Sequence, residues 1–234
     1  MKGTEIVINE FREFKENELI TASKLYKEKL SGKITEAAYY KTLQRLCESG
    51  ELVKIAKGTY HLPKIGKYGV VPPSEKEIIS AFTNNETGAV VGYSLYNQLN
   101  LSTQISKNII VMSSALDSFT KSIRNIVVHQ VPLRFSDEIK NMLSGLEVLQ
   151  NFNTIQDINI EAFLNYAKEL SISFNPDAFE SVITARKYKK STISFMKEVL
   201  DYHGTENNLS QYLSALSNYK HPRMEELYEF ARVS

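Results

Sequence analysis

The sequence predicts an α+β fold, in which an N-terminal winged helix-turn-helix is followed by a larger, mostly helical domain with a small β-sheet. Three observations predict it. An amphipathic helix leads directly into a β-hairpin, a Pro- and Gly-rich segment comes next, and long helical patterns with two Ile/Val-rich runs fill the remainder. The chain has 234 residues, 42% of them hydrophobic and 24% charged, so it is long enough to form two globular domains.

The amphipathic helix is predicted over residues 37–48. Its apolar side chains recur at helical spacing and are expected to face a core; they are Tyr39, Leu43, Leu46 and Cys47. Thr35 precedes the helix and can cap its first turn, because its hydroxyl accepts a backbone N–H that has no partner within the helix. Gly50 is expected to end the helix, because glycine tolerates the left-handed conformation that is common there.

The opposite face of this helix is polar and basic, and carries Tyr40, Lys41, Gln44 and Arg45. In a helix-turn-helix the second helix enters the major groove of DNA, where Arg and Gln pair with base edges while Lys and Tyr reach phosphates. We therefore predict that these four side chains contact double-stranded DNA. Thr35 is a further candidate contact, although capping is its main predicted role. The alternative is a solvated face on a winged helix that binds another protein.

A short hairpin is predicted directly after the helix. Its strands, residues 52–56 and 59–62, flank Lys57-Gly58, where glycine permits a tight turn. Lys54 and Lys57 are expected on the outside near the hairpin tip, where they would contact phosphates as the wing of a winged helix does. The apolar side chains are expected to share the other face: Val53, Ile55, Tyr60 and Leu62.

The domain boundaries follow from the segments on either side of this hairpin. Residues 21–30 supply the preceding helix, so residues 1–66 form the predicted DNA-binding domain, here called the head. Residues 67–73, which include Pro72-Pro73, are predicted to be a linker. The second domain then covers residues 74–234, and Ser74 and Glu77 are expected to form a capping box on its first helix.

The second domain is predicted to contain two strands, over residues 108–112 and 125–131, joined by a polar loop. A helical pattern follows, and prolines lie where a first helical turn tolerates them. The predicted helices cover residues 136–150, 160–170, 176–188, 192–202, 209–218 and 222–233.

Charge is distributed unevenly between the two parts of the chain. The whole chain has a formal net charge of +1, but residues 1–70 hold 13 Lys and Arg against 9 Asp and Glu. The remainder holds 15 against 18. Attraction to the phosphates of a nucleic acid is therefore expected mainly in the first part.

A second basic segment, Arg186, Lys187, Lys189 and Lys190, surrounds Tyr188. It is a possible second contact for phosphates or for an acidic partner. The interpretation we favour is a helix C-terminus, where cations complement the helix dipole.

The sequence also argues against several classes of protein. It lacks a run of about 18 apolar residues and begins with a charged segment, so we expect a cytoplasmic protein without a membrane span or export signal. The single cysteine and four histidines lack metal-ligand spacing, so we expect no metal. Phosphate-loop, dinucleotide-binding, zinc-protease and nucleophile-elbow motifs are missing, so we expect neither a cofactor nor an enzyme.

The order of several segments resembles the AbiEi-type antitoxins of type IV toxin–antitoxin systems. The matching segments are residues 43–64 (LQRLCESGELVKIAKGTYHLPK), 71–79 (VPPSEKEII), 92–104 (GYSLYNQLNLSTQ), 108–113 (NIIVMS) and 145–152 (GLEVLQNF). The resemblance implies a winged-helix head that represses its own operon and a larger domain that counteracts a nucleotidyltransferase-like toxin. It does not imply a tight complex with that toxin, and it does not extend to the helices after about residue 157.

Two alternatives remain open at this point. The first is a transcriptional regulator whose second domain senses a ligand or another protein. The second is a domain that acts enzymatically on a toxin or nucleotide, against which the missing motifs argue. Because one winged helix reads few base pairs, we expect binding to a promoter repeat, either as a dimer or as two monomers that cooperate on DNA.

Overall fold

The computed structural model describes residues 3–116 and 118–233, with residue 85 described by its backbone only. About half of the residues are helical (51%) and 15% are in strands, so the predicted α+β class is confirmed. Within these residues, no helix is both long and apolar enough to cross a bilayer.

The head contains three helical segments and a small antiparallel sheet. Its elements are α1 (Gly3–Phe11), β1 (Ile20–Thr21), α2 (Ala22–Leu25, continued by a π-helical turn over Tyr26–Leu30), α3 (Glu36–Glu48), β2 (Val53–Ala56) and β3 (Thr59–His61). The strand order is β1-β3-β2. Helices α2 and α3 therefore form a helix-turn-helix, and the β2–β3 hairpin is the wing of the predicted winged helix.

Local sequence signals fix both ends of α3. The Thr35 hydroxyl accepts the Ala38 backbone N–H at 3.4 Å, which confirms the predicted cap. Gly50 has a φ of +76°, in the left-handed region that ends helices. The buried stripe packs against α1 and the wing, and consists of Tyr39, Leu43 and Leu46.

The faces of the wing differ from the prediction. Lys54 lies opposite Tyr60, and Val53 lies opposite His61, so Val53 and Tyr60 do not share a face. The register shifts between Lys54 and Ala56, as in a β-bulge. The alternation expected for a hairpin with one solvated face fails here, because the wing is packed on both faces.

The predicted linker contains a second hairpin. Its strands are β4 (Lys64–Gly66) and β5 (Gly69–Val71), paired antiparallel with Ile65 opposite Val70. The predicted linker over residues 67–73 therefore contains the turn and the second strand of this hairpin, and residues 72–73 follow it. The turn is formed by Lys67 and Tyr68, between the paired Gly66 and Gly69. Gly69 has a φ of +111°, which favours glycine, so the same glycines that indicated a linker permit the hairpin.

The second domain contains a four-stranded sheet rather than the two strands predicted. It comprises α4 (Glu75–Thr83), β6 (Gly88–Val91), α5 (Tyr93–Gln98), β7 (Ile109–Ser113), β8 (Thr120–Ile123) and β9 (Ile126–Gln130). The strand order is β6-β7-β9-β8, with β7 and β9 parallel at the centre. These two are the predicted strands, and the short edge strands β6 and β8 are additional.

The helices after the sheet are α6 (Asp137–Asn151), α7 (Ile160–Ile172), α8 (Pro176–Ala185), α9 (Lys190–Tyr202) and α10 (Met224–Val233). Helix α6 packs on β6, and the later helices pack on α6 and on one another. Phe152, Phe163 and Phe195 pack edge-on and tilted at the centre of the largest core. The helix predicted over residues 209–218 is wrong, because only a 3-10 turn over Leu209–Tyr212 forms there.

One face of the sheet packs on α4 and on the head. Leu19, Ile55 and Ala56 of the head join a core that includes Ile78 and Phe82 of α4. The Lys121 ammonium donates to the Thr59 hydroxyl at 2.9 Å, and Arg124 donates to the Pro73 carbonyl at 2.7 Å. The head and the second domain are thus joined by apolar packing and by the hydrogen bond from Lys121 to Thr59, and the bond from Arg124 fixes the segment between them.

Gly88 tests the close packing of α4 and β7 against β6 within the second domain. A Cβ at Gly88 would lie 2.2 Å from the Phe82 carbonyl oxygen and 2.4 Å from that of Met112, so backbone would have to move. We expect Gly88→Ala to lower the free energy of unfolding by about 3 kcal/mol in chemical denaturation. Gly145→Ala is the matched control, because it meets only the flexible end of Leu170 and should cost less, about 1 kcal/mol. Equal costs would contradict the close approach at Gly88.

Candidate nucleic-acid interface

The outward face of α3 presents the four predicted contact residues to solvent: Tyr40, Lys41, Gln44 and Arg45 are all exposed. Tyr40 is 37% exposed, and its ring packs on Tyr39 with the centroids 5.3 Å apart. The Gln44 amide donates to the Glu48 carboxylate at 2.9 Å, one turn further along the same face. In the part of the chain that the structure describes, neither Lys41 nor Arg45 forms an ion pair.

The cations on the α1 side of the head are neutralised instead. Lys29 lies 2.7 Å from the Glu13 carboxylate, and Lys33 lies 3.4 Å from Glu10. The side-chain hydrogen bond from Lys29 holds the pKa of the Glu13 carboxyl below its usual value. Two cations on the α1 side of the head are therefore paired with carboxylates, whereas Lys41 and Arg45 on α3 form no ion pair within the described residues.

The two lysines of the wing lie in different places. Lys57 is exposed at the tip, beside Gly58, whose φ is +68° and whose carbonyl accepts the Ala22 backbone N–H at 2.9 Å. The tip is thereby held against the start of α2. Lys54 is not at the tip: it lies beside Cys47 of α3, where its charge partly offsets the burial that raises the pKa of that thiol.

Thr35 acts as the cap of α3, and its exposed hydroxyl is already engaged with the Ala38 N–H. Its position at the N-terminus of α3 remains compatible with the predicted contact, because recognition helices read bases with their N-terminal residues.

The second basic segment is divided by a buried ion pair. Arg186 donates through Nε to Glu147 Oε1 at 2.9 Å, and the Tyr188 hydroxyl donates to the same oxygen at 2.8 Å. Glu147 is only 5% exposed, so the half-buried Arg186 compensates a buried charge and differs from the exposed lysines beside it. Lys187, Lys189 and Lys190 remain exposed.

Glu147 was not singled out by the sequence, where it is one acidic residue within the apolar run 145–152. The pKa of Tyr96 is raised to about 12, mainly because the phenol is buried and also because the charged Glu147 carboxylate is near it. Burial likewise raises the pKa of Tyr188 above its usual value. Both phenols therefore stay protonated at neutral pH, and Tyr188 keeps the proton it donates to Glu147.

Three of the four histidines have local polar contacts, whereas the Nε2 atom of His203 is buried without a hydrogen-bond partner. His61 lies 2.9 Å from the Leu62 carbonyl, His129 lies 3.1 Å from the Thr120 hydroxyl, and His221 lies 3.0 Å from the Ser194 hydroxyl. Across residues 3–116 and 118–233, no three His, Cys, Asp or Glu side chains are grouped as a metal site would require.

Comparison with known proteins adds a family and a distant structural neighbour. The model of a family described as "Family of unknown function (DUF6088)" matches residues 13–168, which is more than half of the chain. The crystal structure of the RV2827C protein from Mycobacterium tuberculosis matches 87% of this chain and 78% of its own, with a TM-score of 0.39 and 13% sequence identity. No curated protein matches the sequence at a significant level.

The buried ion pair leads to a stability prediction. We expect Glu147→Ala to lower the free energy of unfolding by about 3 kcal/mol, because it leaves Arg186 and Tyr188 without their shared acceptor. Lys187→Ala is the control, and should change stability by less than about 0.5 kcal/mol, since Lys187 is exposed. Chemical denaturation followed by circular dichroism measures both. A cost for Glu147→Ala as small as that of the control would show that the pair contributes little.

Proposed function

The chain belongs to the DUF6088 family, and we propose that it binds double-stranded DNA through its winged helix and represses the operon that encodes it. The observation that carries this proposal is the exposed Lys41 and Arg45 pair on α3, without ion-pair partners in the described structure and flanked by Lys57 at the wing tip. An α-helix fits the major groove, and a hairpin beside it reaches the phosphate backbone.

Each residue of the interface has a proposed role. Arg45 and Gln44 pair with base edges, Lys41 and Tyr40 contact phosphates or bases beside them, and Lys57 contacts a phosphate. Gln44 must exchange its hydrogen bond to Glu48 for one to a base, and this exchange costs little because both side chains are exposed. Lys54, which lies by Cys47, is then a secondary contact.

We further propose that the protein is the cytoplasmic antitoxin of a type IV toxin–antitoxin system. This rests on the resemblance of five segments to AbiEi-type antitoxins, four of which lie beyond the wing and in the second domain. The second domain would counteract a nucleotidyltransferase-like toxin, with no tight complex assumed. Two copies of the protein would bind a promoter repeat, because one winged helix reads too few base pairs for specificity.

The DNA contacts are tested by removing the two cations of α3. We expect Lys41→Ala with Arg45→Ala to weaken binding to the protein's own promoter by at least about 30-fold without unfolding the protein. A bidentate pair of hydrogen bonds between a side chain and a base contributes about 1–3 kcal/mol. Lys57→Ala should weaken all sequences alike and reduce the salt slope by about 1. Fluorescence anisotropy with promoter and scrambled duplexes over a salt series measures both effects.

A control double variant with the same change in net charge distinguishes an effect of the α3 site from an effect of net charge. Lys107→Ala with Lys220→Ala removes the same two charges from exposed positions outside the head, and should leave promoter binding nearly unchanged. Unchanged binding by the α3 double variant, or equal losses in both double variants, would contradict the groove assignment.

The antitoxin role is tested separately. With the gene expressed from an unrelated promoter, we expect the Lys41→Ala, Arg45→Ala variant to lose repression but still restore growth to cells that express the toxin encoded beside it. Restoration of growth is expected because neutralisation is assigned to the second domain. If even the unaltered protein fails to restore growth, or if no nucleotidyltransferase-like gene is adjacent, a regulator with a sensing second domain becomes the better interpretation.

A further inference from the structure

A cleft of about 220 Å³ lies where the head meets the second domain. On the head side it is lined by Lys24, Lys27 and Glu28, and on the other side by residues 114–116, which follow β7. Both lysines are exposed, and Ser114 is exposed opposite them. We call this feature the junction cleft. It is a solvent-accessible cavity with more positive than negative charge, formed by both domains together.

The cleft lies beside the first helix of the helix-turn-helix. That helix, α2, crosses the DNA backbone when the following helix occupies the major groove. The start of α2 is held to the wing tip by the hydrogen bond from the Ala22 N–H to the Gly58 carbonyl. Lys24 and Lys27 lie on this helix and on the turn that continues it, so the cleft adds two lysines to the part of the head that follows the wing-tip contact.

The second-domain side of the cleft is held in place. The Ser114 N–H donates to the Thr87 carbonyl at 2.8 Å, and the Ser113 hydroxyl donates to the Phe82 carbonyl at 2.7 Å. Leu116 is buried in the core shared by the two domains. The loop after β7 therefore cannot move away from α2 without breaking the contact between the domains.

We propose that the second domain completes the DNA-contact surface, with the junction cleft binding one phosphate of the backbone that flanks the bases read by α3. This inference rests on the proposed DNA-binding function. Lys24 and Lys27 supply the charges, because lysine ammonium groups bind phosphates as point charges. Ser114 forms the opposite wall of the cleft. The Glu28 carboxylate would repel a phosphate and so limit the affinity of the cleft for it.

Two substitutions of opposite expected sign test the proposal in the full chain. Ser114→Asp places a negative charge on the second-domain wall, and should weaken binding to promoter and scrambled duplexes alike, by about 5-fold, with a salt slope smaller by about 1. Glu28→Gln removes a negative charge, and should strengthen binding by about 3-fold. Because Glu28→Gln is exposed and nearly isosteric, it tests the cleft even if Ser114→Asp is unstable.

Each variant has a matched control. Ser106→Asp adds the same charge in an exposed loop at the opposite end of β7, and Glu161→Gln removes one from the exposed first turn of α7. Neither should alter DNA binding. Inorganic phosphate is titrated alone and as a competitor of DNA, to distinguish a contact with the DNA backbone from a site for free phosphate. A site for free phosphate would saturate with phosphate, but the cleft variants would still bind DNA as their controls do.

The outcomes separate this inference from the proposed function. If the unaltered protein binds its promoter and the α3 double variant does not, but both cleft variants behave like their controls, the cleft proposal is overturned and the winged-helix function stands. If the unaltered protein binds no duplex, the proposed function fails and the cleft proposal fails with it. A cleft that binds inorganic phosphate tightly, with DNA affinity unchanged in both variants, also overturns the proposal.

Discussion

Both faces of the wing make packing contacts, and the arrangement of the two domains depends on this. One face contributes Tyr60 to the head's own core, while Ile55 and Ala56 on the wing pack into the core beneath the second domain's sheet. Apolar burial contributes about 25 cal/mol per Å². Separating the domains would expose apolar surface on both and would break the hydrogen bond from Lys121 to Thr59. We therefore expect the two domains to move together rather than as modules on a flexible linker.

This constraint also determines the shape of the proposed DNA surface. The wing tip is held to Ala22 at the start of α2, and Lys57 is the exposed cation at that tip. In the proposed complex, further contacts with the DNA backbone would come from elements beside the wing. The start of α2 and the loop after β7 are the nearest candidates, because the packing of the wing brings the second domain against the head.

Local signals explain how much of this could be predicted from the sequence. The cap at Thr35, the buried stripe of α3 and the turn at Lys57-Gly58 each depend on residues within one turn of the chain, and all three were predicted. The exposure of Lys54 was also predicted, but the single apolar face of the wing was not, because Ile55 and Ala56 pack against the second domain. Edge strands β6 and β8 were missed for a related reason, since each is only four residues long and is defined by its partner in the sheet.

The candidate sites show the same division. Exposure of Lys41 and Arg45 follows from helical periodicity alone. The role of Arg186 depends on Glu147, which is 39 residues away in sequence and lies on another helix, so the basic segment looked more uniform in the sequence than it is. The junction cleft could not be predicted either, because Lys24 and Lys27 acquire an opposite wall only when residues 114–116 fold against them. Sites built from one element were therefore predictable, whereas those built from two were not.

A net charge of only +1 is compatible with the proposed polyanionic partner. Attraction to DNA depends on the field at the contact surface, because charges more than about 10 Å away are largely screened at physiological salt. On the α1 side of the head, Lys29 and Lys33 are paired with carboxylates, and in the second domain Arg186 is paired with Glu147. Lys41 and Arg45 form no ion pair within the described residues, although α3 also carries Glu36 and Glu48. Under the proposed function, attraction to a phosphate backbone would therefore come from local cations at the contact surface and not from the net charge of the whole chain.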